Sequence, residues 1–261
     1  MTYLQAIILA IIEGLTEFLP VSSTGHMIIA SSFFGIASED FTKLFTIVIQ
    51  LGTIVSVIVL YFKRFFQSLQ FYYKLFVAFI PAVVLGLAFS DIIDSLLESP
   101  TTVAISLIIG GFFLIKVDDW FGDGEETEIS YLTALKIGFF QCLAMIPGTS
   151  RSGATIVGGM TQKLSRTVAA EFSFFLAVPT MLGATLKKSY DYYQDGFVLN
   201  QEQVNLLIIG NVVGFIVAMI AIKSFIGYLS KHGFKVFGYY RVIAGAAILI
   251  IHYFILELKV V

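Results

Sequence analysis

Charged residues are scarce in this sequence of 261 residues. They make up 13% of the chain, against 57% that are hydrophobic, and the mean hydropathy is +0.90. So few charges cannot cover the apolar surface of a soluble domain, and lipid is therefore the expected solvent. No separate soluble domain is expected beside the membrane part.

Cysteine and basic segments are also nearly absent. The single cysteine, Cys142, lies in an apolar run and excludes an internal disulfide. The formal net charge of -2 gives no basic excess, so nucleic acid is not an expected partner. The N-terminus lacks a basic segment and a small-residue cleavage pattern, so we expect no signal peptide and assign residues 3–19 to the mature fold.

The long apolar runs predict an all-α integral membrane protein. Crossing a hydrocarbon core about 30 Å thick takes about 20 apolar residues. Six segments approach this length, at about 41–62, 71–89, 101–117, 167–186, 204–225 and 236–256. We expect six transmembrane helices in a single transmembrane domain over residues 1–261.

Two further pairs of short helices are expected to enter the membrane without crossing it. Residues 3–19 are predicted to form a helix ended by Pro20, and the apolar piece 27–34 that follows is too short to span. The arrangement recurs at residues 131–146, Pro147 and 154–160. Irregular backbone at membrane depth survives only where protein or water satisfies it, which favours two re-entrant helical hairpins.

The order of one hairpin and three spans occurs twice, which predicts two inverted-topology repeats. Repeat 1 covers about 1–117, an acidic linker about 118–130, and repeat 2 about 131–261. Pro20 followed by Ser23 is echoed by Pro147 followed by Ser150. Three spans per repeat bring the second repeat in from the opposite side, as in many transporter folds. The two hairpins would then meet near the midplane.

The distribution of basic residues favours one orientation. Two basic groups, one after the first span and one between the last two, are expected in the cytoplasm, and an acidic loop without Lys or Arg is expected outside. Both termini and the opening of the first hairpin then face outward. The basic groups are Lys63, Arg64 and Lys74, then Lys223, Lys231, Lys235 and Arg241; the acids are Asp91, Asp94 and Glu98. Lys187 and Lys188 do not fit this orientation.

The first polar segment, EGLTEFLPVSSTGH at residues 13–26, contains two carboxylates, three hydroxyls and an imidazole. Glu13 and Glu17 are four residues apart and share one face of a helix. A carboxylate at membrane depth is costly unless it is paired, protonated or bound to a cation. Two of them suit a divalent cation, Mg²⁺ or Ca²⁺. The alternative is that both glutamates are solvated near the interface.

The hydroxyls Ser22, Ser23 and Thr24 stand at the start of the second short helix, where one of them would cap the backbone. If the helix begins near Ser23, His26 lies about one turn on and can face the same spot. A hydroxyl and an imidazole would then be related as nucleophile and base. A structural histidine is the alternative.

The second polar segment, PGTSRSG at residues 147–153, is typical of an anion site. Its glycines let backbone amides point inward, its hydroxyls add donors, and the guanidinium of Arg151 matches phosphate oxygens. It also leads into a helix N-terminus. The candidate binding residues are Gly148, Thr149, Ser150, Ser152 and Gly153. The two segments together predict a pocket for phosphate or diphosphate. A salt bridge from Arg151 to Glu171 or to a hairpin glutamate is the alternative.

Gln50, in the middle of the first span, is a further candidate for hydrogen bonding at this pocket. A helix–helix contact is equally compatible with its position.

These motifs, with AAEFSFFLAVP at residues 169–179, resemble those of the undecaprenyl-diphosphate phosphatase family, integral-membrane enzymes associated with bacitracin resistance. The likeness covers essentially the whole chain. It implies removal of the terminal phosphate from a C55 polyprenyl diphosphate in a bacterial plasma membrane, which returns the lipid carrier to cell-wall synthesis. The family's site residues match Glu13, Glu17, Ser23, His26 and Arg151.

The mechanistic hypothesis is in-line attack by Ser23 on the terminal phosphoryl group, with His26 taking its proton. Arg151 and a cation held by Glu13 and Glu17 neutralise the diphosphate. Direct activation of water by His26 is an equally open variant. The rival function is a lipid flippase or secondary transporter that uses the same residues as a proton relay. The expected partners are polyprenyl diphosphate and membrane lipid; the oligomeric state is open, a homodimer being one option.

Overall fold

A computed structural model of the chain describes residues 1–66, 68–89, 96 and 99–258. In these ranges the chain is helical, and its β-structure is confined to one isolated bridge between Glu126 and Leu164. The acidic loop residues Asp91, Asp94 and Glu98 lie outside the described residues, as does the end of repeat 2 at 259–261.

The described helices follow one another in the order expected for two hairpins and their spans. They are α1 (Tyr3–Thr16), α2 (Ser23–Phe33), α3 (Asp40–Val48), α4 (Gln50–Leu60), α5 (Leu69–Ala88), α6 (Pro100–Phe121), α7 (Tyr131–Cys142), α8 (Arg151–Met160), α9 (Arg166–Gln194), α10 (Gln201–His232) and α11 (Lys235–Phe254). Short 3₁₀ turns cover Phe62–Phe66 and Leu143–Met145.

The prediction of an all-α membrane protein is confirmed. Within the described residues, 6 helical stretches are long and apolar enough to cross a membrane, the first being α3 and α4 together. α1 and the stretch Tyr131–Met145 are the shorter apolar helices, in agreement with the lengths expected of the hairpins. Re-entry of the hairpins and inversion of the repeats stay predictions.

Three helices run past the ends expected of their spans, and one expected span is broken in two. α6 runs on to Phe121, so the helix includes the first residues of the segment assigned to the acidic linker. α9 has 29 residues and α10 has 32, because both continue as polar helix beyond their apolar stretch. The first span breaks at Ile49, which starts a new helix at Gln50.

Polar side chains fix where many of these helices begin. A Ser, Thr or Asn at the N-cap accepts a hydrogen bond from an amide of the first turn and so satisfies a donor that has no helical partner. This occurs at Thr2, Ser68, Ser99, Ser130, Ser150, Ser165 and Asn200.

The packing brings the two halves together around the short helices. α1 packs against α10, α7 packs against α5, and α6 packs along α11. α6 and α11 meet at two glycines: a Cβ on Gly111 would lie 2.8 Å from the Gly238 carbonyl oxygen, and a Cβ on Gly238 would lie 2.7 Å from that of Gly111. Only glycine permits this reciprocal approach. This close contact holds α6 and α11, the last spans of the two halves, against each other behind the polar segments.

Candidate active site

Each of the two short helices is preceded by a loop whose last residue has the same uncommon backbone conformation, with a positive φ. The first loop, residues 17–22, leads into α2, and the second loop, residues 146–150, leads into α8. Their last residues are Ser22, with φ 66° and ψ 100°, and Ser150, with φ 72° and ψ 115°. Positive φ is uncommon for serine, and such strain persists only where the surroundings impose it. The sequence echo paired Ser23 with Ser150, whereas the backbone matches Ser22 with Ser150.

Both loops converge on one carboxylate. Glu17 Oε2 accepts a hydrogen bond of 2.8 Å from Ser23 Oγ, and Glu17 Oε1 accepts one of 2.8 Å from Arg151 Nη2. Ser23 and Arg151 are the first residues of α2 and α8. Both side chains of the ion pair are nearly buried, with 12% of Arg151 and 9% of Glu17 exposed. One glutamate therefore joins the candidate nucleophile to the candidate phosphate-binding cation.

The structure distinguishes between the two salt bridges considered for Arg151. Its ion pair is with the hairpin residue Glu17, while Glu171 pairs with Arg64 at 3.6 Å. Arg151 Nη1 also donates to the Ser173 carbonyl at 3.0 Å. Its Nε is buried and has no hydrogen-bond partner among the described residues. The guanidinium is thus held through both terminal nitrogens, and Nε is left as an unsatisfied donor.

A cavity of about 340 Å³ lies between the loops. The first loop and α2 line it with Glu17, Ser22, Ser23 and Thr24, and the second loop and α8 with Pro147, Gly148, Ser150 and Arg151. Gln50 also lines it, because the helix break at Ile49 starts α4 beside the loops. The cavity is therefore edged by hydroxyls, one carboxylate and one guanidinium.

Three predicted binding residues lie elsewhere. Ser152 is fully buried, and its hydroxyl donates to the Leu19 carbonyl at 2.8 Å, which ties the second loop to the first. Thr149 and Gly153 line a separate apolar groove of about 540 Å³ on the other side of the second loop. These three residues shape the loop and do not border the cavity.

His26 is oriented differently from the expectation. Its Nδ1 donates to the Ser22 carbonyl at 2.8 Å, and its Nε2 accepts from the Tyr240 hydroxyl at 2.5 Å. A carbonyl can only accept, so the proton lies on Nδ1. α2 begins at Ser23 as expected, but the ring turns toward α11 and the Ser23 hydroxyl bonds to Glu17 instead. Within the described structure both ring nitrogens are engaged away from Ser23.

Glu13 is the second carboxylate of the predicted metal site. It is 1% exposed, and its Oε1 has no hydrogen-bond partner among the described residues. A buried oxygen with free lone pairs fits a cation, but the same residues contain no cluster of three acidic, His or Cys side chains. Mg²⁺ commonly takes one or two carboxylates and completes its shell with substrate phosphates and water. Of the two carboxylates only Glu17 lines the cavity, so the donor set is too small for a closed protein site and would need a phosphate ligand to complete it.

Sequence reasoning missed Arg241. We placed it among the cytoplasmic basic residues, whereas it is 1% exposed and lies in α11. Its guanidinium donates to carbonyls of both loops, at Pro20 and Thr149. A cation inside an apolar span is costly and marks a specific partner, and this signal could have separated Arg241 from its basic neighbours.

Comparison with known proteins gives concordant results. The family model of bacitracin resistance protein BacA matches residues 6–247. The chain is 76% identical to an undecaprenyl-diphosphatase of Flavobacterium psychrophilum over 261 residues, which is 100% of both chains. It is 73% identical to one of Flavobacterium johnsoniae over 265 residues, again 100% of both. It is 44% identical to one of Aquifex aeolicus over 250 residues, 94% of this chain and 96% of that protein.

Proposed function

This chain belongs to the bacitracin resistance protein BacA family, and we propose that it hydrolyses undecaprenyl diphosphate to undecaprenyl phosphate and inorganic phosphate. The activity follows that of relatives up to 76% identical over the full length. The main structural support for this activity is the Glu17 carboxylate. It accepts hydrogen bonds of 2.8 Å from Ser23 and from Arg151, beside a cavity between the loops. The product is the lipid carrier that cell-wall synthesis reuses.

The chain is a multi-pass protein of a bacterial membrane, given its 6 long apolar helices and its family. We propose that the cavity opens toward the outer face. The positive-inside rule supports this orientation through Lys63, Arg64 and Lys74.

The proposed architecture is a pair of inverted repeats. It is supported by the matched backbone angles of Ser22 and Ser150 and by the reciprocal contact of Gly111 with Gly238. The packing of α1 on α10 and of α7 on α5 is the pairing that a twofold relation would give. In transporter folds of this plan the substrate binds where the two repeats meet.

In the proposed reaction the terminal phosphoryl group enters the cavity beside Ser23. Ser23 Oγ forms a bond to phosphorus, its proton passes to Glu17, and the bridging P–O bond breaks to release the lipid monophosphate. Water then replaces Ser23 on phosphorus, the proton on Glu17 returns to Oγ, and inorganic phosphate leaves. The 2.8 Å hydrogen bond from Ser23 to Glu17 supports Glu17 as the proton acceptor in place of His26.

Arg151 neutralises the transferred group in this proposal. Phosphoryl transfer depends mainly on positioning and charge, and a guanidinium presents donors in a planar fork that fits phosphate oxygens. The position of Arg151 on the cavity wall supports this role, and its Nε has no hydrogen-bond partner among the described residues. Hydroxyls of Ser22, Thr24 and Ser150 and the amide of Gln50 line the same cavity and can bind the remaining oxygens.

A divalent cation is part of the proposal, held by Glu13 and Glu17 together with the diphosphate. When bound, it would supply positive charge that lowers the cost of charge developing on the leaving phosphate. We expect chelation by EDTA to abolish phosphate release and added Mg²⁺ or Ca²⁺ to restore it. Glu13→Gln should raise the cation concentration for half-maximal rate by about tenfold. An unchanged cation requirement in this variant would remove Glu13 from the site.

His26 is assigned to support of the first loop, through its bond to the Ser22 carbonyl. We therefore expect His26→Gln to lower kcat by about tenfold, below the 10²–10⁴-fold that a lost general base costs. Tyr240→Phe is the matched control, since it removes only the hydroxyl that Nε2 accepts from. A loss above about 10³-fold in His26→Gln would return the base role to this residue.

The direct test is phosphate release by the purified protein in detergent. Given undecaprenyl diphosphate and Mg²⁺, the wild-type protein should release one phosphate per lipid. Movement of labelled lipid between leaflets of proteoliposomes without phosphate release would contradict hydrolysis and support the flippase.

A further inference from the structure

Every N–H donor of Arg241 forms a hydrogen bond to a main-chain carbonyl. A guanidinium has five N–H donors. Nε donates to Leu107, Nη1 to Pro20 and Thr149, and Nη2 to Ser106 and Gly148. The five distances lie between 2.9 and 3.4 Å. One side chain thus joins the first loop, the second loop and α6.

No acidic side chain balances this cation in the described part of the chain, where Arg241 takes part in no ion pair. It is also 1% exposed. Burying a guanidinium is expensive unless every donor is satisfied. Carbonyl dipoles of the loops provide that compensation here, so the loops and the cation stabilise each other's positions.

In sequence, the loop carbonyls that Arg241 contacts lie just before the residues proposed to act on the phosphoryl group. Pro20 precedes Ser23 by three positions, and Thr149 precedes Arg151 by two. Arg241 and Thr149 line the apolar groove, whereas Ser150 and Arg151 line the cavity, so the guanidinium lies behind the second loop. In a trans peptide the C=O and N–H point in opposite directions. Arg241 therefore draws the Thr149 carbonyl backward and turns the following amide away from itself.

We propose that Arg241 is a positioning residue, which sets the distance between the two loops and so places Ser23 against Arg151 for phosphoryl transfer. This rests on the proposed function. The residue touches neither the cavity nor the reacting atoms, and it acts through the backbone of both loops.

Gly110 offers a second way to disturb the same guanidinium. A Cβ on Gly110 would lie 2.3 Å from Arg241 Nη2. Gly110→Ala leaves Arg241 in the sequence but forces its side chain to move. Gly227→Ala is the matched control, a helical glycine with nothing within 4 Å of an added Cβ.

The experiment compares Arg241→Met, Arg241→Lys, Gly110→Ala and Gly227→Ala. For the first three we expect kcat to fall about 100-fold, the loss for a misplacement of about 1 Å. KM should change by less than about threefold, because binding groups are retained. Arg241→Lys should recover much of the Tm in detergent without recovering kcat, since an ammonium keeps the charge but lacks the five-donor fork. Gly227→Ala should match the wild type in both.

The distance between the loops is measured directly as the second readout. Spin labels are placed by Thr24→Cys and Met145→Cys in a Cys142→Ser background, since Thr24 lines the cavity from the start of α2, just after the first loop, and Met145 lines it from the 3₁₀ turn just before the second loop. The distance distribution should broaden in Arg241→Met and Gly110→Ala and stay narrow in Gly227→Ala.

Two results would overturn the proposal: kcat within about threefold of wild type in Arg241→Met, or a narrow distribution with activity lost only in proportion to the unfolded fraction. If the wild type releases no phosphate, the proposed function fails, and the distance measurement still decides the role of Arg241.

Discussion

We expect Arg151→Lys to lower kcat for undecaprenyl diphosphate by about 10³-fold, the lower end of what an arginine at a transferred phosphoryl group contributes. The expectation follows from the geometry: Arg151 lines the cavity, Nη2 pairs with Glu17, and Nη1 donates to the Ser173 carbonyl. Lysine keeps the charge, but its compact ammonium lacks the planar fork with which a guanidinium reaches a carboxylate, a carbonyl and a phosphate in fixed directions. Steady-state phosphate release at saturating lipid measures the effect.

The control for this variant is Arg64→Lys. Arg64 is 53% exposed and pairs with Glu171 at 3.6 Å, outside the cavity. A surface ion pair of this kind contributes little, so its activity and Tm should stay close to those of the wild type. Tm in detergent is recorded for both variants, because Arg151 also ties two helices together. An Arg151→Lys protein with normal Tm and kcat within tenfold of wild type would contradict the assigned role.

Ser23→Ala should lower kcat by at least about 10³-fold, because it removes the nucleophile and leaves binding groups in place. Before that loss is measured, the intermediate can be trapped. Acid quenching of the wild type during turnover should leave phosphate on the peptide that contains Ser23, and the Glu17→Gln protein should accumulate less of it. Quantitative mass spectrometry gives the phosphorylated fraction.

Ser230→Ala is the matched control, an exposed serine of α10 whose hydroxyl bonds to the Gly227 carbonyl. It should retain full turnover. If Ser23→Ala also retains full turnover, water attacks the diphosphate directly and the covalent route is wrong. A phosphorylated peptide at another serine would move the nucleophile while leaving the hydrolase.

The membrane architecture could be predicted because its causes are local. Apolar runs of about 20 residues form spans wherever they occur, and the six predicted spans are found as long apolar helices. The family resemblance is likewise confirmed, over residues 6–247. The ends of α9 and α10 were missed, since polar residues outside the bilayer can continue a helix without an apolar signal.

The details of the site depend on contacts between distant parts of the chain. The sequence predicted that the loops at Ser23 and Arg151 would come together, and the structure joins both residues to Glu17. It could not predict that His26 turns to Tyr240, because spacing within α2 fixes the face of the ring but not its partner, 214 residues away. The position of Arg241 in an apolar span was a readable signal, but its carbonyl partners, up to 221 residues away, could not be predicted from the sequence.

The ion pair between Glu17 and Arg151 has a consequence for product release. With the cavity empty, the guanidinium is already neutralised, so an incoming ligand must compete with an internal anion for it. A diphosphate, with more negative charge, competes better than the monoester it becomes, because Coulomb attraction scales with charge. We therefore expect the monophosphate product to bind Arg151 more weakly than the diphosphate substrate does, which favours its release into the bilayer.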